Sequence, residues 1–73
     1  MHYEVEIGRR DANSPNGIRW AGCNELSREA EPRFETEELA LQYAEDAGVG
    51  AAFRAVHVDE HGVREPLRAI RRL

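Results

Sequence analysis

Three histidines and one cysteine are the residues of this chain that could bind a metal or attack a substrate. His57 and His61 lie four residues apart with Asp59 between them. On a helix this spacing would direct both imidazoles at one zinc ion, which structural sites hold with four tetrahedral nitrogen or sulfur ligands. His2 and Cys23 could complete such a set only if the fold brought them together. Because the segment instead reads as a strand end and a turn, we expect no metal and no cofactor.

Cys23 and His57 also suggest a thiolate nucleophile, since a histidine within hydrogen-bonding reach lowers the pKa of a thiol. Such a pair needs a third group to orient the histidine, and the spacing identifies none. The sequence has no glycine-rich loop that leads into a lysine and a helix, so nothing predicts a nucleotide-phosphate cradle. The sequence therefore favours a non-enzymatic protein.

Charge is distributed unevenly along the chain, whose formal net charge is −4. Residues 25 to 46 hold eight carboxylates and two arginines, a balance of −6, whereas residues 62 to 73 hold four arginines and one carboxylate. Charge of this kind governs partners and encounter rates rather than chemistry. We therefore expect the function to lie in what the charged surfaces contact.

Two sets of charged residues are the candidate partner-binding residues. The acidic set would dock on a basic protein surface and comprises Glu35, Glu37, Glu38, Glu45 and Asp46. The basic set would contact nucleic-acid phosphates through charge-assisted hydrogen bonds and comprises Arg64, Arg68, Arg71 and Arg72. An acidic protein repels a polyanion, so a protein partner is the leading hypothesis and a nucleic acid the alternative. Both sets are also explained as a solvated surface without a partner.

The length of 73 residues predicts one domain over 1–73. Such a domain buries only roughly 60% of the surface that its unfolded chain exposes. Because a core of this size supplies about 3–5 kcal/mol of stability, a homodimer that covers apolar surface is a further alternative. The lone Cys23 suits a reducing compartment, and the first residues lack the apolar core of a signal peptide. We expect a soluble cytoplasmic protein without a membrane partner.

Alternating side chains predict two strands in the first third of the chain. Residues 2–7 alternate apolar and polar types, as in a half-buried strand. Residues 17–23 resume the alternation after a turn-rich connection and predict a second, antiparallel strand. Ile18 and Trp20 share one face of that strand. We expect Trp20 to lie in the core, with an exposed partner anchor as the alternative.

The clearest predicted element is a helix that begins after Thr36, a good N-cap, and ends at Gly48. Carboxylates in its first turn interact favourably with the helix dipole. A continuous apolar stripe is expected to lie on the sheet and consists of Leu39, Ala40, Tyr43, Ala44 and Ala47. Leu41 and Gln42 are expected at the margin of the exposed side. Phe34, just before the cap, is expected to pack at the helix entry.

Two further strands are predicted after the helix. Residues 51–59 carry apolar side chains on both faces, which is typical of a central strand. A turn with Gly62 in the left-handed conformation leads to a fourth strand from near Val63, which Pro66 confines to an edge. The last apolar residues recur at every third position, so both a short helix and an edge strand fit Leu67, Ile70 and Leu73.

The predicted order is β-β-α-β-β, an α+β domain with one helix packed on an antiparallel sheet. Before the helix, Ser27 could cap a helical turn that Pro32 keeps short. The segment FETEELALQYA resembles small β-β-α-β domains of bacteria and phages. In size, acidity and lack of a catalytic motif, the chain resembles phage accessory proteins, among them anti-CRISPR inhibitors that present carboxylates where phosphates would bind. That resemblance implies an inhibitor of a protein that handles nucleic acid.

Overall fold

One helix lies across an antiparallel sheet, in the order predicted from the sequence. The computed structural model describes residues 1–24, 30–48 and 50–72. The elements within these ranges are β1 (His2–Arg10), β2 (Ile18–Gly22), α1 (Glu37–Ala47), β3 (Ala52–Val58), β4 (Arg64–Pro66) and β5 (Ile70–Arg71). The predicted helical turn at Ser27 lies outside the described residues. In the described ranges, no helix is both long enough and apolar enough to cross a membrane.

The strands form a sheet in the order β2-β1-β3-β4, and every pairing is antiparallel. β3 occupies the predicted central position, because β4 pairs with its C-terminal half and β5 with its N-terminal half. The turn between β3 and β4 has Gly62 at a φ of 80°, as predicted. Ile70 pairs with Phe53, so the C-terminal residues form an edge strand rather than a helix.

The register of β1 and β3 divides their side chains between two faces. Val5 lies opposite Ala55 and Ile7 lies opposite Phe53, and all four side chains point towards the helix. Together with two alanines of α1 they form the buried core cluster of Val5, Ile7, Ala40, Ala44, Phe53 and Ala55. The other face of β3 carries Val56 and Val58, which are also buried. The prediction of a strand with apolar side chains on both faces is therefore confirmed.

Both ends of α1 are capped as the sequence predicts. The Oγ1 atom of Thr36 accepts a hydrogen bond from the Leu39 backbone N–H at 3.2 Å. Gly48 takes a left-handed conformation with a φ of 67°, and its N–H reaches the carbonyls of Ala44 and Glu45. Phe34 packs at the helix entry as expected, because its ring lies 5.2 Å from that of Tyr43.

The helix meets the sheet through a narrower stripe than the sequence predicts. Ala40 and Ala44 are fully buried. Three members of the predicted stripe are exposed instead: Leu39, Tyr43 and Ala47. The small alanine side chains let the helix backbone approach the sheet closely, which leaves no space beneath it for larger groups. Leu41, expected at the exposed margin, packs against the core cluster and is half-buried.

Trp20 lies on the face of the sheet opposite the helix and is half-buried, so the expectation that it is part of the core is wrong. Its ring leans over β1 at Gly8, where a Cβ atom would lie 3.1 Å from the ring and 2.7 Å from Cγ2 of Ile18. The Arg54 guanidinium covers the ring at 4.1 Å from its centre. Trp20 is therefore enclosed by a glycine below and an arginine above.

Candidate interaction surfaces

The five carboxylates of the predicted acidic set are all exposed, on α1 and just before it; they are Glu35, Glu37, Glu38, Glu45 and Asp46. Asp46 accepts a hydrogen bond from Nε2 of Gln42 at 3.0 Å. Within the described ranges, none of the five lies within ion-pair distance of an arginine or histidine. In the described part of the chain, their negative charge therefore faces solvent without a cationic side chain beside it.

Two exposed apolar side chains lie along one margin of α1, between the buried alanines and most of these carboxylates. Leu39 is 53% exposed and Tyr43, one helical turn later, is 40% exposed. The Tyr43 ring is tilted by 47° against the ring of Phe34. Phe34 is itself fixed by two backbone hydrogen bonds of 2.8 Å to Tyr3. We call Leu39, Tyr43 and the five carboxylates the acidic helix face.

The four arginines of the predicted basic set do not share one surface. Arg64 binds Glu4 on the face of the sheet opposite the helix, with Nη1 2.6 Å from Oε1. Arg72 donates from Nη2 to the Ala44 carbonyl at 2.5 Å, and its guanidinium lies 4.7 Å from the centre of the Phe53 ring. Two members, Arg68 and Arg71, are exposed. Half of the predicted set therefore binds groups of this chain.

Arg71 lies near arginines that are not members of the predicted basic set. It lines a cleft of about 230 Å³ together with Arg10 and Arg72. Arg9 precedes Arg10 on β1 and lies opposite Arg19 in the β1–β2 ladder, on the other face of the sheet. The adjacent arginines Arg9 and Arg10 are apparent in the sequence as a local concentration of positive charge. Only the strand register shows that Arg19 and the C-terminal residues lie at the same end of the sheet.

A network of ion pairs covers part of the sheet face opposite the helix. The buried Glu4 carboxylate binds His2 at 2.7 Å as well as Arg64, and Glu6 binds Arg54 at 2.7 Å. Burial raises the pKa of Glu4, but the hydrogen bonds and charges of Arg64 and His2 outweigh burial and lower that pKa. In the described part of the chain, every buried side-chain nitrogen and oxygen has a hydrogen-bond partner. This network is satisfied internally and is suited to a structural role.

The cysteine and histidines that could do chemistry each contact other residues rather than one another. The Cys23 thiol donates to Oε2 of Glu31 at 3.2 Å, and burial followed by the bond and charge of Glu31 raises the pKa of Cys23 to about 12. His57 packs against Tyr3 on the helix side of the sheet, whereas His2 binds Glu4 on the other side. Among the described residues, no three histidine, cysteine or acidic side chains are placed to hold a metal.

No protein-family model, curated protein or solved structure matches this chain. Its function must therefore be inferred from the chemistry and exposure of its own surfaces.

Proposed function

We propose that this chain is a non-enzymatic interaction module that docks its acidic helix face on a basic surface of another cytoplasmic protein. The observation that supports this proposal most strongly is the exposure of Leu39 and Tyr43, one turn apart, beside carboxylates without a basic partner in the described ranges. Protein interfaces usually combine an apolar patch with charged side chains at its border.

The apolar pair and the carboxylates would make different contributions to binding. Covering a Leu or Tyr side chain supplies roughly 25 cal/mol for each Å² of apolar surface removed from water. Tyr43 suits an anchor because its ring is large and loses little rotamer entropy on binding. The surrounding carboxylates would steer the encounter with a positive surface and penalise acidic competitors. Affinity would thus come mainly from the pair, and partner choice from the charges.

A protein that handles nucleic acid is the partner whose chemistry fits best. Such proteins hold phosphates with clustered arginines and lysines. The carboxylates of the acidic helix face lie on a rigid, capped helix, so they could occupy the positions of backbone phosphates on such a cluster. The finer proposal is therefore an inhibitor of the accessory type found in phages, which competes with nucleic acid for its partner.

A homodimer through the same face is a less favourable arrangement. A two-fold interface brings the same patch of both copies together. The five carboxylates of one copy would then face the five of the other, with no arginine of the acidic helix face between them. Like charges at an interface disfavour association. A partner with a basic surface meets no such repulsion.

The proposal is tested by capture of partners from lysate of the native host, with nuclease treatment, on the wild type and on a variant with Leu39→Ala and Tyr43→Ala. We expect a stoichiometric protein to be retained by the wild type and lost by the variant. Val63→Ala is the matched control, because Val63 is 61% exposed and lies outside the acidic helix face. Circular dichroism verifies that the variants are folded. Retention by the double variant, or equal loss with the control, would overturn the proposal.

A further inference from the structure

The cleft at the end of the sheet is formed where three strands meet. Its lining includes Arg10, Asn16, Gly17, Ile18, Arg71 and Arg72. The register places Gly8 opposite Ala52 and Ala52 opposite Arg71, so that these three residues share one sheet face. Arg10, two residues after Gly8 on β1, belongs to the same face. Arg10 and Arg71 therefore project from one face on two sides of the cleft.

In the described ranges, neither Arg10 nor Arg71 has a carboxylate within ion-pair distance. Asp11 follows Arg10 directly, but its carboxylate accepts hydrogen bonds from the Asn13 N–H at 2.9 Å and the Ser14 hydroxyl at 3.2 Å. That carboxylate is oriented into its own turn and leaves the arginines available to a ligand.

Two further arginines increase the positive potential on the other face of the same sheet end. Arg9 and Arg19 lie directly opposite each other in the β1–β2 ladder and are exposed. Like charges in this arrangement destabilise a sheet. Arg72 also lines the cleft, but its guanidinium is held against Ala44 and Phe53 on the helix side of the sheet.

The size and charge of the cleft define the ligand. Sites for whole small molecules usually occupy roughly 300–1,000 Å³. This cleft, at about 230 Å³ and open to solvent, accommodates one oxyanion group rather than an entire ligand. Guanidinium groups bind carboxylates and phosphates through paired N–H donors. A phosphate ester offers more charge and more acceptor oxygens than a carboxylate, which suits a cleft with two arginines on one face.

We infer that the cleft between Arg10 and Arg71 binds a phosphate group, presented by a small phosphate ester or by the backbone of a single-stranded nucleic acid. This inference is independent of the acidic helix face, which lies on a different element. It also differs from the hypothesis that the basic set contacts nucleic acid, because the cleft requires Arg10, which is outside that set, and does not include Arg68.

The test is a nuclear magnetic resonance titration of the full chain, with the arginine Nε–Hε signals included, first with pyrophosphate and then with a single-stranded octanucleotide. We expect Arg10 and Arg71 signals to shift and saturate. Arg10→Gln and Arg71→Gln should each weaken pyrophosphate binding about three- to tenfold, the loss of one charge-assisted contact in an open site. Arg68→Gln removes an exposed arginine outside the cleft and should change affinity less than about twofold.

The two probes distinguish the sources of the phosphate. Octanucleotide binding that is weakened by the same two variants identifies a nucleic-acid backbone as the ligand, whereas binding of pyrophosphate alone identifies a small phosphate ester. Absence of saturable shifts with both probes overturns the inference. An equal loss of affinity in the Arg68→Gln variant also overturns it, because that result means general charge attraction without a site.

Discussion

The Glu4 carboxylate and the Arg64 guanidinium meet at 2.6 Å although 60 residues separate them in the sequence. The two residues lie on β1 and β4, which do not pair, because β3 runs between them. Their side chains cross over β3 on the face opposite the helix. The pair therefore attaches the short, exposed edge strand β4 to the middle of the sheet.

We expect Glu4→Gln to lower the free energy of unfolding by about 1–3 kcal/mol, because Arg64 and His2 then lose a charged, largely buried acceptor. The measurement is urea denaturation at neutral pH. Glu65→Gln is the matched control, because Glu65 on β4 is exposed and makes no ion pair in the described ranges. It should change stability by less than about 0.5 kcal/mol. Equal effects would show that the Glu4 contacts do not stabilise the sheet.

The same pair predicts a dependence of stability on pH. The pKa of Glu4 is lowered in the folded protein, so the stabilisation is fully present above the unfolded pKa, near 4.5, and is lost as the pH falls through the lower folded value. The stability advantage of the wild type over Glu4→Gln should stay constant from about pH 7 to about pH 5 and shrink below that, towards about pH 3. Denaturation of both proteins across this range tests the prediction, and a constant difference would contradict it.

Cys23 is expected to react slowly with alkylating reagents. Burial and the neighbouring Glu31 raise the pKa of its thiol to about 12, so the thiolate is scarce at neutral pH. Iodoacetamide should modify the folded protein far more slowly than the urea-unfolded chain. Glu31→Gln removes the negative charge and should speed the reaction in the folded state. A wild-type rate equal to that of the unfolded chain would show that the thiol is accessible and that its pKa is not raised.

Because helix and sheet approach each other closely, substitutions on the buried side of α1 should lower the free energy of unfolding more than substitutions on its exposed side. Ala44→Leu should destabilise the fold by about 1–3 kcal/mol, because the buried alanine leaves no space for a larger side chain. Leu39→Ala should change stability by less than about 1 kcal/mol, because Leu39 is half exposed. Thermal or urea unfolding of both variants distinguishes these expectations. A large loss with Leu39→Ala would mean that this side chain supports the core rather than a partner.

The sequence was sufficient for most elements and their order. Alternation located β2 and the first part of β1, the Thr36 and Gly48 caps located α1, and the glycine turn located β4, but β1 extends to Arg10, into the segment predicted as a connection. These signals are local, because the neighbouring residues themselves determine a cap, a turn or a period of two. The edge strand at the C-terminus could not be distinguished from a helix, since its assignment depends on pairing with Phe53 far away in the sequence.

The surfaces could be predicted only in part. The acidic residues of α1 can be identified in the sequence. The exposure of Leu39 and Tyr43 could not be predicted, because it depends on the helix contacting the sheet through Ala40 and Ala44 alone. The cleft at Arg10 and Arg71 depends on strand register, which composition does not reveal. The sequence predicts Trp20 in the core, but its ring lies on the sheet face opposite the helix, where Arg54 covers it.

The most direct measurement is the dissociation constant of the captured, purified partner for the wild type and for a variant with Glu45→Lys and Asp46→Lys. Both substitutions lie in the last turn of α1, where positive charge suits the helix dipole, so the fold should be retained. The matched control is Glu60→Lys with Glu65→Lys, which makes the same change in net charge at exposed positions outside the acidic helix face. We predict a loss of at least about tenfold for the helix variant, which grows at low salt, and less than about threefold for the control. Equal affinities for the wild type and the helix variant would contradict docking through the acidic helix face.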